Sequence, residues 1–392
     1  MVNRDELLEL TQEAIRIKSL SGEEQQVAYL LRDKMQEMGY DEVWIDQYGS
    51  VIGKVSGAGT GPSVLFDGHI DTVPVNSPEK WTFDPFGATV ADGKLYGRGS
   101  SDMKGAVCAA VVAVGQIARQ IKQTGIRPAG DIYVSGTVYE ELFEGVALGK
   151  VMEQVQPDRV VIMEATSLKV CIGQRGRAEI GISAFGKSAH SANPDVGINA
   201  IYEMNRLISR LTQLEAPVHV QMGKGISVVT DIVSSPFPGA SVVPDLCTIT
   251  IDRRLLVGET ESAVLGQYEA ILPADGQYQV QLTEASHPCY TGESLGGKRF
   301  FPGWLLDREH ELVQQSVAAL QAIGQEADLS VYSFCTNGSY SAGIANVPTI
   351  GYGPSHEHLA HIVDEYIELD QLYKVADGYT ELAWALSRSN RL

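Results

Sequence analysis

The sequence predicts an α/β protein with a mainly parallel sheet and an inserted α+β domain. Strand and helix patterns alternate along both flanks of the chain, which is typical of a parallel sheet covered by helices on both faces. Between the flanks, residues 177–284 instead read as strand, helix, two strands, helix and strand, a compact unit of its own. The 392 residues also exceed the usual size of a single hydrophobic core. We therefore predict a main domain formed by residues 1–175 and 289–392, with residues 176–288 inserted.

Periodicity and turn residues predict the elements of the first flank in order. Apolar positions at helical spacing indicate a helix over residues 3–18. The segment from Ser21 to Glu24 has the pattern of a capping box, which predicts a second helix that stops at Gly39. Further along we expect a strand pair over 43–55, a strand over 64–66, a hairpin around Asp92-Gly93 and a helix from Ala106 to about Gln123.

The inserted unit and the second flank follow the same logic. In the inserted unit we predict strands over 177–186, 226–234, 245–254 and 277–284, and helices over 198–214 and 260–272. In the second flank, Asp364-Glu365 is interpreted as the opening of the final helix. The chain is therefore expected to return to the main domain after the insertion.

Composition and charge exclude several classes of function. With 44% hydrophobic and 20% charged residues, the composition is that of a soluble globular protein with a large core. The net charge of −19 argues against nucleic acid or an anionic membrane as a partner. No membrane-spanning run stands out, and the N-terminal residues are charged where a secretory signal is apolar. The five scattered cysteines predict neither a disulfide framework nor a cysteine-zinc site, so we expect a cytoplasmic protein.

The first notable motif is an apolar strand that runs directly into charged residues. Val64 to Phe66 is followed by Asp67, His69 and Asp71. Alternate residues of an extended backbone project to the same side, so His69 and Asp71 share a face. A metal-ligating imidazole usually donates its other ring N–H to a carboxylate, and this pair suits that arrangement. A solvated histidine and aspartate at the end of a loop is the alternative.

Acidic side chains recur at three further places along the chain. Glu140 and Glu141 end one β-rich run, Glu164 ends another, and Asp102 lies in a glycine- and serine-rich loop before a long helix. Neighbouring side chains diverge, so one glutamate of the pair can bind a metal while the other faces a water bound to that metal. The alternatives are a charged turn for the glutamate pair and a helix N-cap for Asp102.

These residues are expected to share one site. Ligands of open α/β sheets bind beyond the carboxyl ends of the strands, where most of these side chains are placed. Histidines and carboxylates without cysteine suit zinc or a similar divalent ion, and a late loop offers further histidines, His356, His358 and His361. A single zinc needs fewer carboxylates than this, so we predict a two-metal site with a bridging acid.

The chain resembles, nearly end to end, the aminoacylase, acetylornithine deacetylase and succinyl-diaminopimelate desuccinylase family of di-zinc amidohydrolases and exopeptidases. The motifs that carry the resemblance are Gly68-His69-Ile70-Asp71, Gly97-Arg98-Gly99-Ser100-Ser101-Asp102, Glu140-Glu141 and Ala360-His361. Within the family it is most similar to the selenium-metabolism-linked, YgeY-type hydrolases. That similarity lies in the segments 173–178, 252–260 and 333–339.

The resemblance implies a role for each candidate ligand. His69 and Glu164 would hold one metal ion, Glu141 and His361 the other, with Asp102 bridging the two and Asp71 orienting His69. Zinc is the expected metal, with cobalt or manganese as alternatives. Glu140 would be the general base that deprotonates the metal-bridging water and later protonates the leaving amine. The resemblance implies no such role for His356 or His358.

The resemblance also implies roles for residues outside the metal cluster. The inserted block is similar to the family's lid and dimerisation domain, so a homodimer is expected in which His190 reaches the partner subunit's active site. Arg254 matches a position whose guanidinium meets a substrate carboxylate. The loop Thr336–Ser339 departs from a more usual Asp-containing segment, and Asn337 and Gly338 are expected on the substrate side.

The implied activity is hydrolysis of an N-acyl, N-carbamoyl or peptide bond of a small amino-acid-like substrate. The alternatives are a catalytically inactive relative kept for binding or scaffolding, and a two-metal phosphoesterase. Inactive relatives usually lose a ligand or the base, and the matching positions here all carry the expected residue types. A phosphoesterase lacks support because no obvious basic cluster for phosphate is present in the sequence.

Overall fold

The computed structural model describes residues 2–388 of the chain. Its α-helices are α1 Arg4–Arg16, α2 Gln25–Met38, α3 Lys104–Thr124, α4 Val146–Val155, α5 Ala200–Leu211, α6 Glu261–Glu269, α7 Glu311–Ala322 and α8 Leu369–Leu386. Short 3-10 helices span Pro78–Lys80, Pro194–Val196 and Glu357–Leu359, and a π-helix spans Ser339–Ile344. Within residues 2–388, none of these helices has the length and apolar character needed to cross a membrane.

The strands are numbered in chain order. They are β1 Glu42–Ile45, β2 Val51–Val55, β3 Val64–His69, β4 Thr89–Ala91, β5 Lys94–Tyr96, β6 Ile132–Thr137, β7 Arg159–Ile162, β8 Val170–Gln174, β9 Gly176–Phe185, β10 Ala189–His190, β11 Val218–His219 and β12 Gly223–Lys224. They continue with β13 Ile226–Ser235, β14 Val242–Val243, β15 Leu246–Leu255, β16 Gln277–Leu282, β17 Glu284–Pro288, β18 Ser294–Lys298, β19 Phe300–Phe301, β20 Trp304–Leu305, β21 Leu329–Tyr332, β22 Thr349–Gly351 and β23 Tyr366–Glu368.

The central sheet confirms the predicted α/β class. Its strands run in the order β1-β2-β6-β3-β7-β22-β8-β20, with β21 beside β8. The four strands at its centre, β6, β3, β7 and β22, are parallel, and most pairings toward the two edges are antiparallel. Parallel neighbours deliver their carboxyl ends to the same edge of a sheet, where α/β proteins bind ligands.

Helix α3 forms the centre of a helical layer on this sheet. Its first four turns are almost entirely buried, and it packs against α1, α2, α8 and β3. Small side chains permit this close packing. A Cβ built on Gly115 would lie 2.6 Å from the sulfur of Met38 in α2, so only glycine fits that contact. The small-residue helix predicted from the sequence is thus a core element.

A second, antiparallel sheet has a hydrophobic core of its own. Its strands run in the order β13-β15-β9-β16, with β19 beside β9. Helices α5 and α6 pack against it and bury side chains such as Ile180, Met204, Ile249 and Tyr268. These residues all lie within the segment 176–288 for which we predict an insertion, and the boundaries themselves stay a prediction.

The predicted capping box at the start of α2 is wrong. The N-cap residue of α2 is Glu24, whose side chain does not cap the helix. Ser21 Oγ instead donates to Asp71 Oδ2 at 2.6 Å. Glu24 Oε1 accepts the backbone N–H groups of Gly22 at 2.8 Å and Tyr139 at 3.3 Å. Both side chains connect this loop to residues that follow β3 and β6, a long-range role that the local pattern does not reveal.

The final helix also begins later than predicted, because Glu365 is used elsewhere. Its carboxylate is fully buried and pairs with Arg98, with 2.5 Å between Nη1 and Oε2. Its Oε1 accepts the backbone N–H groups of Ser101 at 2.9 Å and Asp102 at 3.1 Å. Strand β23 follows this residue, and only then does α8 begin. Glu365 therefore fastens the loop before α3 instead of opening a helix.

Replacing Glu24 with Gln should reduce the pH dependence of stability. Burial, together with the nearby charge of Asp71, raises the pKa of Glu24 to about 8 from 4.5. The folded state keeps a proton that the unfolded state releases, so the wild-type free energy of unfolding falls as the pH rises from about 4.5 to about 8. Glutamine cannot titrate and keeps an accepting oxygen, so E24Q should lose this part of the decline.

Denaturant unfolding near pH 5 and near pH 8, at fixed metal loading, measures this effect. We expect the unfolding free energy of E24Q minus that of the wild type to be about 1–3 kcal/mol larger near pH 8 than near pH 5. The matched control is E23Q, because Glu23 is the exposed neighbour. Equal pH slopes for E24Q and the wild type would contradict the prediction.

Replacing Arg98 with Met should destabilise the protein strongly. The carboxylate of Glu365 would stay buried without its cationic partner, which typically costs about 3–5 kcal/mol. The double variant R98M/E365Q removes the buried charge but keeps an oxygen for the two backbone N–H groups. Denaturant unfolding should therefore show that the double variant is more stable than R98M. An R98M variant as stable as the wild type would show that the ion pair does not support the fold.

Candidate active site

Parallel strands bring most of the predicted ligands to one edge of the central sheet. His69 is the last residue of β3, whose neighbours on either side are β6 and β7. Glu140 and Glu141 follow β6, and Glu164 follows β7. Two further predicted ligands reach the same place from loops: Asp102 and His361.

Asp102 lies between the two histidines. Its Oδ1 is 3.0 Å from His69 Nε2, and its Oδ2 is 3.1 Å from His361 Nε2. The alternative interpretation as a helix N-cap is wrong, because the N-cap residue of α3 is Met103. One carboxylate with an oxygen toward each histidine is the arrangement that a bridging ligand requires.

Each histidine also faces a glutamate. His361 Nε2 is 3.0 Å from Glu141 Oε2, and His69 Nε2 is 3.5 Å from Glu164 Oε1. These contacts match the pairing that the resemblance implies. Ligand atoms of His69, Glu140 and Glu164 also lie within 4.8 Å of one another, so distance alone places Glu140 within reach of the same ion. The role of Glu140 as a base rather than a ligand stays a prediction.

Asp71 hydrogen-bonds to the backbone that carries the glutamate pair. Its buried carboxylate accepts the backbone N–H of Glu140 at 3.1 Å and that of Glu141 at 3.2 Å. His69 Nδ1 lies 2.9 Å from the backbone carbonyl of Asp71 and 3.5 Å from its carboxylate. The carbonyl group of Asp71 is thus closer to the ring of His69 than its carboxylate is, and the carboxylate holds the turn that carries both glutamates. The role of Asp71 in orienting His69 stays a prediction.

A strained residue precedes this glutamate pair. Tyr139 has a φ of 61°, a left-handed conformation that is unfavourable for a non-glycine residue. Its backbone N–H donates to Glu24, and its hydroxyl donates to the carbonyl of Pro288 at 2.6 Å. These contacts hold the turn in place. Glu140, the next residue, is only 6% exposed beside the metal-binding cluster.

Burial and mutual repulsion raise the pKa values of the glutamates. Burial is the main cause of the pKa of Glu140 lying well above its usual value, and the charges of Glu164 and Glu141 add to it. Burial and Asp102 raise the pKa of Glu141 to about 7, and the same two causes raise the pKa of Glu164. Burial and neighbouring negative charge therefore disfavour ionisation of these three glutamates.

The histidines show the complementary effect. Hydrogen bonds to Asp102 and Glu141 raise the pKa of His361 to about 10. Burial opposes a charge on His69, but its hydrogen bonds to Asp102 and other carboxylates still raise its pKa well above the usual value. Although burial opposes it, both histidines lower the pKa of Asp102. The surroundings thus favour positive charge at the two positions that flank Asp102.

The donor set fits two divalent cations. Imidazole nitrogens and carboxylate oxygens are ligands that zinc takes in proteins, and cobalt and manganese accept them too. In each of two sets, the donor atoms lie within 4.8 Å of one another, and both sets contain His69: one with Asp102 and Glu141, the other with Glu140 and Glu164. His361 adds a further nitrogen beside the other oxygen of Asp102. The described residues therefore offer enough ligands for a pair of ions that shares Asp102.

A cavity of about 630 Å³ opens beside the cluster, a volume that suits a small molecule. It is lined by the predicted residues Asp102, Glu140, Glu141, Glu164, Arg254 and His361. It is also lined by His358, Glu144, Ala165, Arg177, Ser333, Phe334, Cys335, Glu357 and Ala360, for which no role was predicted. Arg177 lies in a motif that carried the resemblance, and Glu144 closely follows the glutamate pair, so both gave a signal that could have been used.

The late histidines have different surroundings in the structure. His361 joins the cluster and His358 lines the cavity, whereas His356 does not line the cavity. The ring of His356 stacks on that of His358, and its Nδ1 lies 2.6 Å from Ser167 Oγ. His190 is exposed on β10 and is not among the described residues that line the cavity of its own chain. A contact of His190 with a partner subunit's site stays a prediction.

Asn337 and Gly338 are buried rather than on the cavity wall. Asn337 Nδ2 donates to Asp67 Oδ2 at 2.8 Å and to Thr137 Oγ1 at 2.9 Å, and its Oδ1 accepts the N–H of Gly145 at 2.7 Å. A Cβ on Gly338 would lie 2.6 Å from Trp304 Nε1. These contacts give both residues a structural explanation, and they do not support the predicted substrate contact.

Comparison with known proteins places the chain in a family. Residues 65–385 match the family described as Peptidase family M20/M25/M40. The chain is 34% identical over 380 residues to a protein of Escherichia coli strain K12 called "Uncharacterized protein YgeY", covering 94% of this chain and 92% of that protein. It is 30% identical over 321 residues to an acetylornithine deacetylase of Erwinia tasmaniensis, covering 80% and 77%.

A solved structure shows the same fold at low sequence identity. The YXEP protein of Bacillus subtilis, described as a dinuclear metal binding peptidase from the M20 family, aligns with a TM-score of 0.70. The alignment covers 98% of both chains at 15% identity. On the extent of the family match, this protein belongs to the M20 peptidase family and is a hydrolase that acts on carbon–nitrogen bonds.

Proposed function

We propose that this protein hydrolyses an N-acyl, N-carbamoyl or peptide bond of a small amino-acid-like substrate with the aid of two divalent metal ions. The observation that carries the proposal is the position of Asp102, whose two oxygens face His69 and His361. Each histidine has its own glutamate, and a further buried glutamate lies beside them at the wall of the cavity.

The ligand assignment follows these distances. His69 and Glu164 would hold one ion, Glu141 and His361 the other, and Asp102 both. When bound, the ions would polarise the amide carbonyl and lower the pKa of water. Zinc is the ion we propose, since its preferred ligands are those present, and cobalt or manganese would occupy the same donors.

Glu140 is the residue we propose for proton transfer. Its side chain reaches within 3.9 Å of His69 Nε2, and its neighbour Glu141 projects toward the other histidine. Glu140 would take a proton from the attacking water as the carbon–oxygen bond forms. It would return that proton to the amine nitrogen as the carbon–nitrogen bond breaks, so that the residue ends each cycle unchanged.

Arg254 is the residue we propose for binding a substrate carboxylate. It lines the cavity, and its one ion pair among the described residues joins Nε to Asp252 Oδ1 at 3.0 Å. A guanidinium held through Nε keeps its terminal N–H groups for a second carboxylate, which it can bind in a bidentate manner. A small substrate with a free carboxylate therefore fits this cavity.

A homodimer through the inserted domain is part of the proposal. Strand β13 is an edge strand of the second sheet, and it is exposed along almost its whole length. Its exposed side chains include Ile226, Val228, Ile232 and Val233. An exposed apolar edge strand readily pairs with another chain, and a second copy is the partner that the resemblance implies. His190 would then reach the partner subunit's cavity.

We also propose a cytoplasmic location. The five cysteines are all unpaired and buried, as is common for proteins of a reducing compartment. A catalytically inactive relative kept for binding is the alternative function. The positions expected to carry ligands and the base are all filled by the expected residue types, which favours the enzyme.

Replacing Glu140 with Gln should abolish turnover while both metals stay bound. A general base typically contributes about 10²–10⁴-fold to the rate, and Gln cannot accept the proton. Mass spectrometry of a panel of N-acetyl, N-succinyl and ureido acids and dipeptides measures turnover, and elemental analysis measures the metal content. Glu23, which is exposed and does not line the cavity, supplies the control variant E23Q.

The outcomes of this experiment separate three interpretations. Loss of turnover with full metal content supports Glu140 as the base. Loss of one metal in E140Q would make Glu140 a ligand, as its distance to His69 allows. A wild-type protein that binds two metals but cleaves no compound of the panel would favour the inactive binding protein.

Replacing Ile232 with Asp should separate the proposed dimer. A charge at the centre of β13 opposes burial against a second copy, so sedimentation velocity should show a monomer. If His190 acts across the interface, the monomer and H190A should lose about 10²–10³-fold in kcat, as on removal of an oxyanion donor. The control is V220D, because Val220 is fully exposed outside this strand. A fully active monomer would contradict the role of His190.

A further inference from the structure

Two arginines stand directly opposite each other beside the cavity. Arg177 on β9 and Arg254 on β15 are register partners in the second sheet, and both line the cavity. Like charges placed opposite each other on neighbouring strands are unfavourable unless other groups compensate. Their presence beside the active site therefore needs an explanation.

Asp252 compensates both charges at once. Its Oδ2 lies 3.0 Å from Arg177 Nε, and its Oδ1 lies 3.0 Å from Arg254 Nε. Asp252 is thus the shared partner of two guanidiniums, and any shift of one changes the position that the carboxylate offers to the other. Arg254 has no further ion pair among the described residues that would fix it independently.

Arg177 in turn is tied to the loop that carries the metal ligands. Its Nη1 lies 2.9 Å from Oε1 of Glu144, which closely follows Glu140 and Glu141. Glu144 is only 7% exposed, and its other carboxylate oxygen has no hydrogen-bond partner among residues 2–388, so Arg177 is the group that balances its charge. The contact joins the second sheet to the loop between β6 and α4.

We propose that Arg177 is a positioning residue that sets the place of the substrate carboxylate relative to the metal cluster. It acts through the chain Glu144–Arg177–Asp252–Arg254, in which carboxylates and guanidiniums alternate from the ligand loop to the cavity. The inference rests on the proposed function, because Arg254 must receive a carboxylate. It adds that the enzyme discriminates between carboxylate substrates and their neutral amides through a cavity residue whose guanidinium is already paired with the protein's own carboxylates.

A simpler alternative is that Arg177 only stabilises the contact between the second sheet and this loop. The two roles differ in what they do to different substrates. Loss of a merely structural contact changes turnover of charged and neutral substrates alike. Loss of a positioning contact raises KM for the carboxylate substrate and leaves its neutral carboxamide analogue nearly unaffected, because the amide does not use Arg254.

The experiment compares R177M with R177K in the metal-loaded enzyme. The probes are the carboxylate substrate identified from the panel and the analogue whose carboxylate is a carboxamide. We expect R177M to raise KM for the carboxylate about 10-fold and to change kcat little. A 10-fold change in KM is the effect expected from the loss of one charge-assisted contact. R177K should restore only part of the affinity. The lysine keeps the positive charge, but one ammonium cannot hold Glu144 and Asp252 in the geometry of a guanidinium.

Two controls keep the result interpretable. R159M removes an arginine of comparably low exposure, 12% against 19%, that pairs with Glu311, shares no partner with Arg177 and does not line the cavity, and it should change neither KM. Calorimetric titration of the carboxylate probe into E140Q and E140Q/R177M should show about 10-fold weaker binding in the double variant, independently of turnover.

The failures are distinguishable. If R177M lowers kcat/KM equally for both probes, or changes neither, the positioning role is overturned while the proposed hydrolase stands. If the wild type cleaves no compound of the panel, the proposed function fails first and this inference fails with it. Equal affinity of E140Q and E140Q/R177M for the carboxylate probe would likewise overturn the positioning role.

Discussion

Repulsion among carboxylates is the constraint on which the active-site region depends. Asp102, Glu140, Glu141 and Glu164 converge around His69 in a largely buried volume, where neighbouring negative charges disfavour one another's ionisation. Such a cluster persists if cations or protons neutralise its charge, or if the surrounding structure prevents the side chains from moving apart. The molecule shows the second of these directly and is suited to the first by its donor atoms.

The structure restrains the cluster with hydrogen bonds from distant parts of the chain. The carboxylate of Asp71 holds the turn of the glutamate pair, and that of Glu365 holds the backbone at Asp102. Each of these acids is itself buried, and Arg98 balances Glu365. Rigid supports of this kind keep ligand geometry fixed before any ion arrives, which lowers the entropic cost of binding it.

Much of this could be predicted from the sequence, because its signals were local. The end of an apolar strand indicated His69 as a ligand, and the motif at residues 97–102 indicated Asp102. The position of Asp102 between two histidines agrees with a bridging role. The helix starts predicted at Ser21 and at Glu365 were wrong. Both residues fit the local pattern of a helix start, but their side chains bond to residues that are distant in the sequence. Arg177 was overlooked because its partners, Glu144 in the loop after β6 and Asp252 on β15, are distant from it in sequence, and only the folded chain brings them together.

The order of strands in the central sheet also constrains how the chain can be made. Strand β22, at Thr349–Gly351, lies between β7 and β8 in the sheet. It is synthesised long after both of these strands, because about 175 residues separate it from the end of β8. A nascent chain that has emerged only through β8 therefore presents unpaired edges on two buried, apolar strands, where other chains could add. Contacts of such long sequence separation form late and slowly. Synthesis should thus pass through an aggregation-sensitive stage that ends only when residues 349–351 of the 392 supply the missing strand.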